Sequence, residues 1–187
     1  GSYGDVFKIQ HNGELFAIKI LRLENRRVCE SALLELAAQR IVKDAPELDT
    51  LRGNTPCYTD GNVALITMRY FPEGDLTHYL TPTKLSPDEF TITIMYAHLY
   101  LVLALHDYNT FGLIHRDIKP DNILVRNKFD YTVGDHGIAM DIPKPGDAPQ
   151  EDVMGTSGFM APEIFDAFEF SAKTDMYALG VSMAVLA

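Results

Sequence analysis

The chain has 187 residues, 47% of them hydrophobic and 22% charged, with a formal net charge of −10. At about 100–200 residues per domain this length holds one domain or slightly more, and the apolar share excludes a disordered chain. The acidic balance argues against nucleic acid as a partner, because binding phosphates without sequence preference needs clustered Lys and Arg.

In chain order, residues 6–10 and 15–20 read as two strands joined at Asn12-Gly13, a dipeptide suited to a tight hairpin. Between 26 and 42, Val28, Leu33, Leu34, Leu36, Ala37 and Ile41 recur at helical spacing. A loop with Pro46, Gly53 and Pro56 follows, then a short segment near Cys57 and a β-rich run over 63–70. Ser86-Pro87-Asp88-Glu89 is a helix start, with Ser at the cap, Pro next and Glu three positions on. The helix should run to about Asn109 and be buried on most faces. Its most apolar part, 92–105, is shorter than the ~18–20 residues of a membrane span and contains His98, so no span is expected.

Beyond it come a polar loop through Asn122, short strands at 123–125 and 131–133, a long Pro/Gly-rich loop and a helix from near Thr174. Cys29 and Cys57 lack disulfide or metal spacing and read as small core residues in a reducing compartment. The chain opens without Met in a turn-like sequence, so no signal peptide is expected. It stops inside the apolar run 179–187, and both ends read as cut.

Three motifs carry chemistry. In His115-Arg116-Asp117-Ile118-Lys119-Pro120-Asp121-Asn122, Asp117 can accept a proton and Asn122 can ligate a metal. Asp135-His136-Gly137 offers a carboxylate for a hard cation beside a flexible residue. Ala161-Pro162-Glu163 closes the long loop. In this order and spacing the set resembles the protein kinase catalytic domain. Gly1-Ser2-Tyr3-Gly4-Asp5-Val6 looks like the tail of a Gly-rich loop, and Ala17-Ile18-Lys19 like the strand of the phosphate-binding Lys. Thr156 and Asp175 also fit, and the likeness covers essentially the whole chain. Lys119 with Thr156 looks like the Ser/Thr branch.

The resemblance implies an α+β, two-lobed fold. A small β-rich N-lobe would cover 1–68 without its first strand, followed by a hinge over 69–74. A mainly helical C-lobe would cover 75–187 and lack the helices beyond Asp175. The implied cofactors are ATP and Mg²⁺, the implied partner is a protein substrate, and a cytoplasmic location is expected. By the same resemblance Asp117 is the catalytic base, Lys119 neutralises the moving phosphoryl group, and Asn122 and Asp135 hold Mg²⁺. Gly1 and Gly4 would cover the phosphates, with Lys19 on them and Glu35 orienting it; Glu30 is the second choice. Val6 and Ala17 would roof the adenine pocket and Leu124 floor it. Arg69 and Phe71 would meet the base, Met68 would stand behind it, and Asp75 would take the ribose. Asp75 and Asp121, both acidic, suggest a preference for basic residues upstream of the target hydroxyl, unless they are ordinary solvated charges.

Departures matter too. His136 replaces the usual Phe, and the expected contact on the preceding helix is Gln39, also polar. The two are expected to pair, because an unsatisfied buried polar group costs roughly 1–3 kcal/mol. The stretch 137–154 contains no Ser, Thr or Tyr, so Glu151 or Asp152 is expected to pair with Arg116 in place of a phosphate. Met176-Tyr177 replaces a usual Trp-Ser pair. The competing readings are a pseudokinase acting as a binding scaffold and a small-molecule kinase of related fold.

Overall fold

The structure, a computed structural model, describes residues 4–42, 57–81, 85–147 and 152–187, with 39–42 and 57–59 described by their backbone alone. Strands β1 (Asp5–His11) and β2 (Glu14–Arg22) pair antiparallel around Asn12 and Gly13, both at positive φ as the hairpin expectation requires. After α1 (Arg26–Val42), β3 (Cys57–Thr59) and β4 (Val63–Arg69) complete a sheet of order β1-β2-β4-β3. Strand alternation sends Ala17, Lys19 and Leu21 to one buried face, and Lys19 lies opposite Ile66 of β4. A charged residue is thereby built into the same face as the apolar cluster of Leu21, Ala32, Ala64 and Ile66.

The inward face of α1 is not the one the leucines suggest. Ala32, Glu35 and Ala38 are buried, whereas Leu33 is 66% exposed. The inward positions go to small residues and one carboxylate. Cys29 is a free, half-buried thiol rather than a fully buried core residue, and the side chain of Cys57 lies outside the described residues.

Residues 70–75 lead into α2 (Leu76–Tyr79) and then α3 (Pro87–Thr110). Ser86 caps α3 through Glu89 N–H, and the Glu89 carboxylate returns to Ser86 N–H at 2.9 Å. One stripe of α3, with Ala97, Leu101, Ala104 and Tyr108, is buried in the main core, packed with α5 (Ala172–Leu186) and β7 (Asp130–Val133). The opposite stripe is exposed: Ile92, Met95, Leu99 and Leu103 point outward, so the expectation of burial on most faces is corrected. By length and composition the whole helix is apolar enough to cross a membrane, a test that the run 92–105 alone fails. Here its inward stripe serves as a core element.

Between those helices lie β5 (Leu113–Ile114), a 3₁₀ turn (Pro120–Asn122), β6 (Ile123–Asn127), β7, β8 (Met140–Asp141) and α4 (Pro162–Ala167). The pairings β5–β8 and β6–β7 hold the motif-bearing loops together. The last helix starts two residues before the expected Thr174, with Ser171 as its cap.

Candidate functional site

Two polar clusters meet below the sheet. In the first, the Lys19 ammonium donates to Glu35 Oε2 and Asp135 Oδ1, each at 2.8 Å. Lys19 is 5% exposed and Glu35 1%, so neither charge is tolerable without the other. Burial pushes the Glu35 carboxyl above its ordinary value against the pull of Lys19. Burial works to lower the Lys19 pKa, but the two carboxylates outweigh it and hold it above its ordinary value. For Asp135 burial acts upward and Lys19 prevails, leaving it low. Glu30, the second choice for this partner, pairs instead with Arg26 at 2.6 Å on an exposed side.

The second cluster centres on Asp117. Its Oδ1 accepts from the Thr156 hydroxyl at 2.7 Å. Its Oδ2 accepts from Lys119 Nζ at 2.7 Å and Asn122 Nδ2 at 2.9 Å. Lys119 also reaches Thr156 Oγ1 at 2.8 Å. Three donors from two chain segments thus fix the orientation of one carboxylate. The loop beneath is anchored by Asp175 at the start of α5, which accepts from His115 N–H at 2.6 Å and Arg116 N–H at 2.9 Å. His115 is fully buried: its Nδ1 faces Asp117 N–H at 3.2 Å, which puts the ring proton on Nε2, directed at Gly134 O at 3.0 Å.

A cavity of about 380 Å³ lies beside the first cluster. Val6, Ala17, Lys19, Glu35, Met68, Arg69, Phe71 and Leu124 all line it, with Asn122 and Asp135 at its inner end. Gly1 lies outside the described residues. Gly4 is demanded by packing, since a Cβ there would stand 2.5 Å from the Ile20 carbonyl oxygen. Asp75 is not on the wall: its carboxylate accepts from His78 N–H at 2.8 Å and caps α2. Asp121, exposed on the 3₁₀ turn, is among the residues at the edge of this lining. Three lining residues were missed from sequence: Gly134, and Lys8 and Tyr70, whose ammonium and ring centre lie 4.5 Å apart. Lys8 and Tyr70 belong to no motif, so no local signal marks them, whereas Gly134 directly precedes the Asp135-His136-Gly137 motif. A second cavity of about 280 Å³ holds Asp117, Lys119 and Thr156, and Asp135 lines both.

A family model described as protein kinase domain matches residues 1–187, the whole chain. The chain belongs to the protein kinase domain family. Its relatives include mitogen-activated protein kinase kinase 2 of Arabidopsis thaliana, 27% identical over 97% of this chain and 49% of that protein. Ankyrin repeat-containing protein kinase A of Dictyostelium discoideum is 29% identical over 98% of this chain and 12% of its own length. Serine/threonine-protein kinase MRCK gamma of Homo sapiens is 29% identical over 97% and 12% respectively. The chain therefore spans about half or less of the length of these curated relatives.

Protein kinases generally use ATP and Mg²⁺, and the donor set here suits a hard cation. Asn122 turns its amide nitrogen to Asp117, leaving its carbonyl oxygen available, and Asp135 gives Lys19 only Oδ1. Among the described residues no group of three or more His, Cys, Asp or Glu could hold a metal. A cation between these two residues would complete its shell with phosphate oxygens and water, the usual habit of Mg²⁺.

Two kinase departures rest in part on side chains outside the described residues. Gln39's side chain lies outside the described residues, while His136 Nδ1 bonds the Tyr108 hydroxyl. Glu151 is also outside the described residues, and Asp152, which is exposed, forms no ion pair with Arg116 among the described residues. Arg116 donates from Nε to the Ile138 carbonyl at 2.5 Å and lies 5.3 Å from the Phe170 ring centre. Burial lowers its pKa to about 10. Among the described residues Arg116 thus meets a carbonyl and a ring.

Proposed function

We propose that this domain transfers the terminal phosphoryl group of ATP to Ser or Thr hydroxyls of protein substrates. The observation that carries the proposal is the position of Asp135 on the shared wall of two cavities. One is sized for a nucleotide, and the other contains the oriented Asp117 carboxylate. Phosphoryl transfer asks a protein chiefly to position groups and to neutralise charge. Lys19, held by Glu35, would bind nucleotide phosphates, and Arg69 and Phe71 would meet the base between Ala17 and Leu124. Asp117 would orient the attacking hydroxyl and take its proton at a carboxylate oxygen. Lys119, already on Asp117 and Thr156, would offset negative charge on the moving group. Asn122 and Asp135 would hold Mg²⁺, which supplies charge neutralisation on the phosphates when bound.

Thr156 and Lys119 favour the Ser/Thr branch, as do the names of several relatives, serine/threonine-protein kinase MRCK gamma among them. Asp121 remains free to select a basic residue upstream of the target, whereas Asp75 is committed to its helix cap. The test is phosphate incorporation from labelled ATP and Mg²⁺ into a mixed Ser/Thr peptide library, with Asp117→Asn as control. Incorporation should fall by roughly 10²-fold or more in the control. Equal incorporation by both proteins would refute the proposal, and a library without enrichment of basic residues would refute the role of Asp121.

A further inference from the structure

His136 follows Asp135 directly and is 2% exposed. Its ring lies in a buried group with Tyr108 and His115, centres 5.8 Å and 5.4 Å away. Its Nδ1 bonds the Tyr108 hydroxyl, and its Nε2 has no partner among the described residues. Tyr108 itself is 1% exposed, in the last turns of α3. Both partners of this bond are buried, so each depends on the other for its hydrogen bond.

The neighbouring backbone shows what this contact does. Asp135 has φ +58°, a left-handed conformation uncommon for a residue with a side chain, which persists only where surrounding contacts impose it. Four contacts hold the segment on either side of it. His115 takes the Gly134 carbonyl, Lys19 the Asp135 carboxylate, Tyr108 the His136 ring and Arg116 the Ile138 carbonyl. Three of these come from residues of the motifs already described. The fourth comes from a helix that otherwise contributes nothing to the cavities.

Resting on the reading proposed above, we infer that Tyr108 is a positioning residue: its hydroxyl, through His136 Nδ1, holds Asp135 where that carboxylate can meet the cation of a bound nucleotide. The hydroxyl and imidazole are matched to one another. A Phe at 136 leaves a buried hydroxyl without a partner, and a Phe at 108 leaves a buried imidazole with none among the described residues. Restoring the family's usual Phe at 136 alone therefore harms this protein, and removing both polar groups together repairs the harm.

The experiment compares wild type, Tyr108→Phe, His136→Phe and the double variant in the intact protein. Binding of a non-hydrolysable ATP analogue is measured by calorimetry, with Mg²⁺ and with a chelator, beside thermal denaturation of the nucleotide-free proteins. Each single variant should weaken Mg²⁺-dependent binding by about tenfold, and the double should return to within about threefold of wild type. Binding in chelator should stay within about twofold for all four. His136→Asn, whose amide can stand in for Nδ1, should retain Mg²⁺-dependent affinity that His136→Leu loses; this pair serves if His136→Phe does not fold. Additive losses overturn the inference. A lowered melting temperature with unchanged Mg²⁺ dependence also overturns it, because Tyr108 would then be structural only. Wild type that binds no nucleotide with Mg²⁺ overturns the proposed function and this inference with it, whereas wild-type binding with an additive cycle overturns this inference alone.

Discussion

The two polar clusters of the site are built in opposite ways. Around Asp117, most partners lie within five residues of one another and keep partial contact with solvent. Around Lys19, the partners stand 16 and 116 residues away and the ion pair with Glu35 is buried. The first cluster is mostly local, closed by Thr156 from a segment 39 residues on. The second exists only when sheet, α1 and the Asp135 segment are assembled. Loss of a member should therefore disturb chemistry in one case and the fold as well in the other.

The largest effect should follow Lys19→Met, which strands Glu35 and Asp135 beside each other without a cation. Denaturant unfolding should show a loss of roughly 3–5 kcal/mol, accompanied by loss of nucleotide binding. A loss under about 1 kcal/mol would erase the distinction between the clusters. Asp117→Asn should do the reverse: transfer falls by the factor given above while unfolding shifts by about 1 kcal/mol or less. A large shift there would show that the local cluster also supports the fold.

Ser86→Ala serves as a structural control far from either cluster. It should cost about 1 kcal/mol of stability with unchanged nucleotide affinity. Hydrogen bonds from the Ser86 backbone N–H and hydroxyl hold the Glu89 carboxyl below its ordinary pKa. A lowered folded-state pKa adds stability above the unfolded-state value, and that stability disappears as pH falls through the folded one. The gap between wild type and Ser86→Ala should thus narrow in acid below about pH 4, as followed by thermal melts across pH. Smallest of all is Glu30→Gln on the exposed side of α1, which should leave both melting temperature and transfer rate unmoved. A measurable effect would reopen the choice between Glu30 and Glu35.

What could be read from sequence follows the same division. Asn12-Gly13, the Ser86 cap and the 117–122 loop were legible because each is specified by neighbours a few residues apart. The packing of α1 was not, since its leucines suggest a face that the structure leaves partly exposed, and Ala32, Glu35 and Ala38 turn inward instead. Choosing Glu35 over Glu30 needed the resemblance to a family, because spacing alone favours neither. The helix-capping role of Asp75 was not anticipated, although an acidic residue before a short helix serves well as a cap. Tyr108 was invisible as a partner of His136: in an apolar helix it reads as one more core aromatic, and only tertiary packing brings its hydroxyl to a residue 28 positions on.

Gly137 sets the tolerance of this assembly. A Cβ there would lie 2.6 Å from Ser31 Oγ, 3.4 Å from Asp135 Oδ1 and 3.8 Å from Glu35 Oε2. Helix α1 and the Asp135 segment thus meet with less clearance than one methyl group requires, and the neighbouring atoms include both carboxylates that hold Lys19. A side chain at 137 would therefore press on Ser31 and on the carboxylates that hold Lys19. The fit of helix to loop behaves as a gauge block: ordering one surface orders the other, and neither can be redesigned without recutting both.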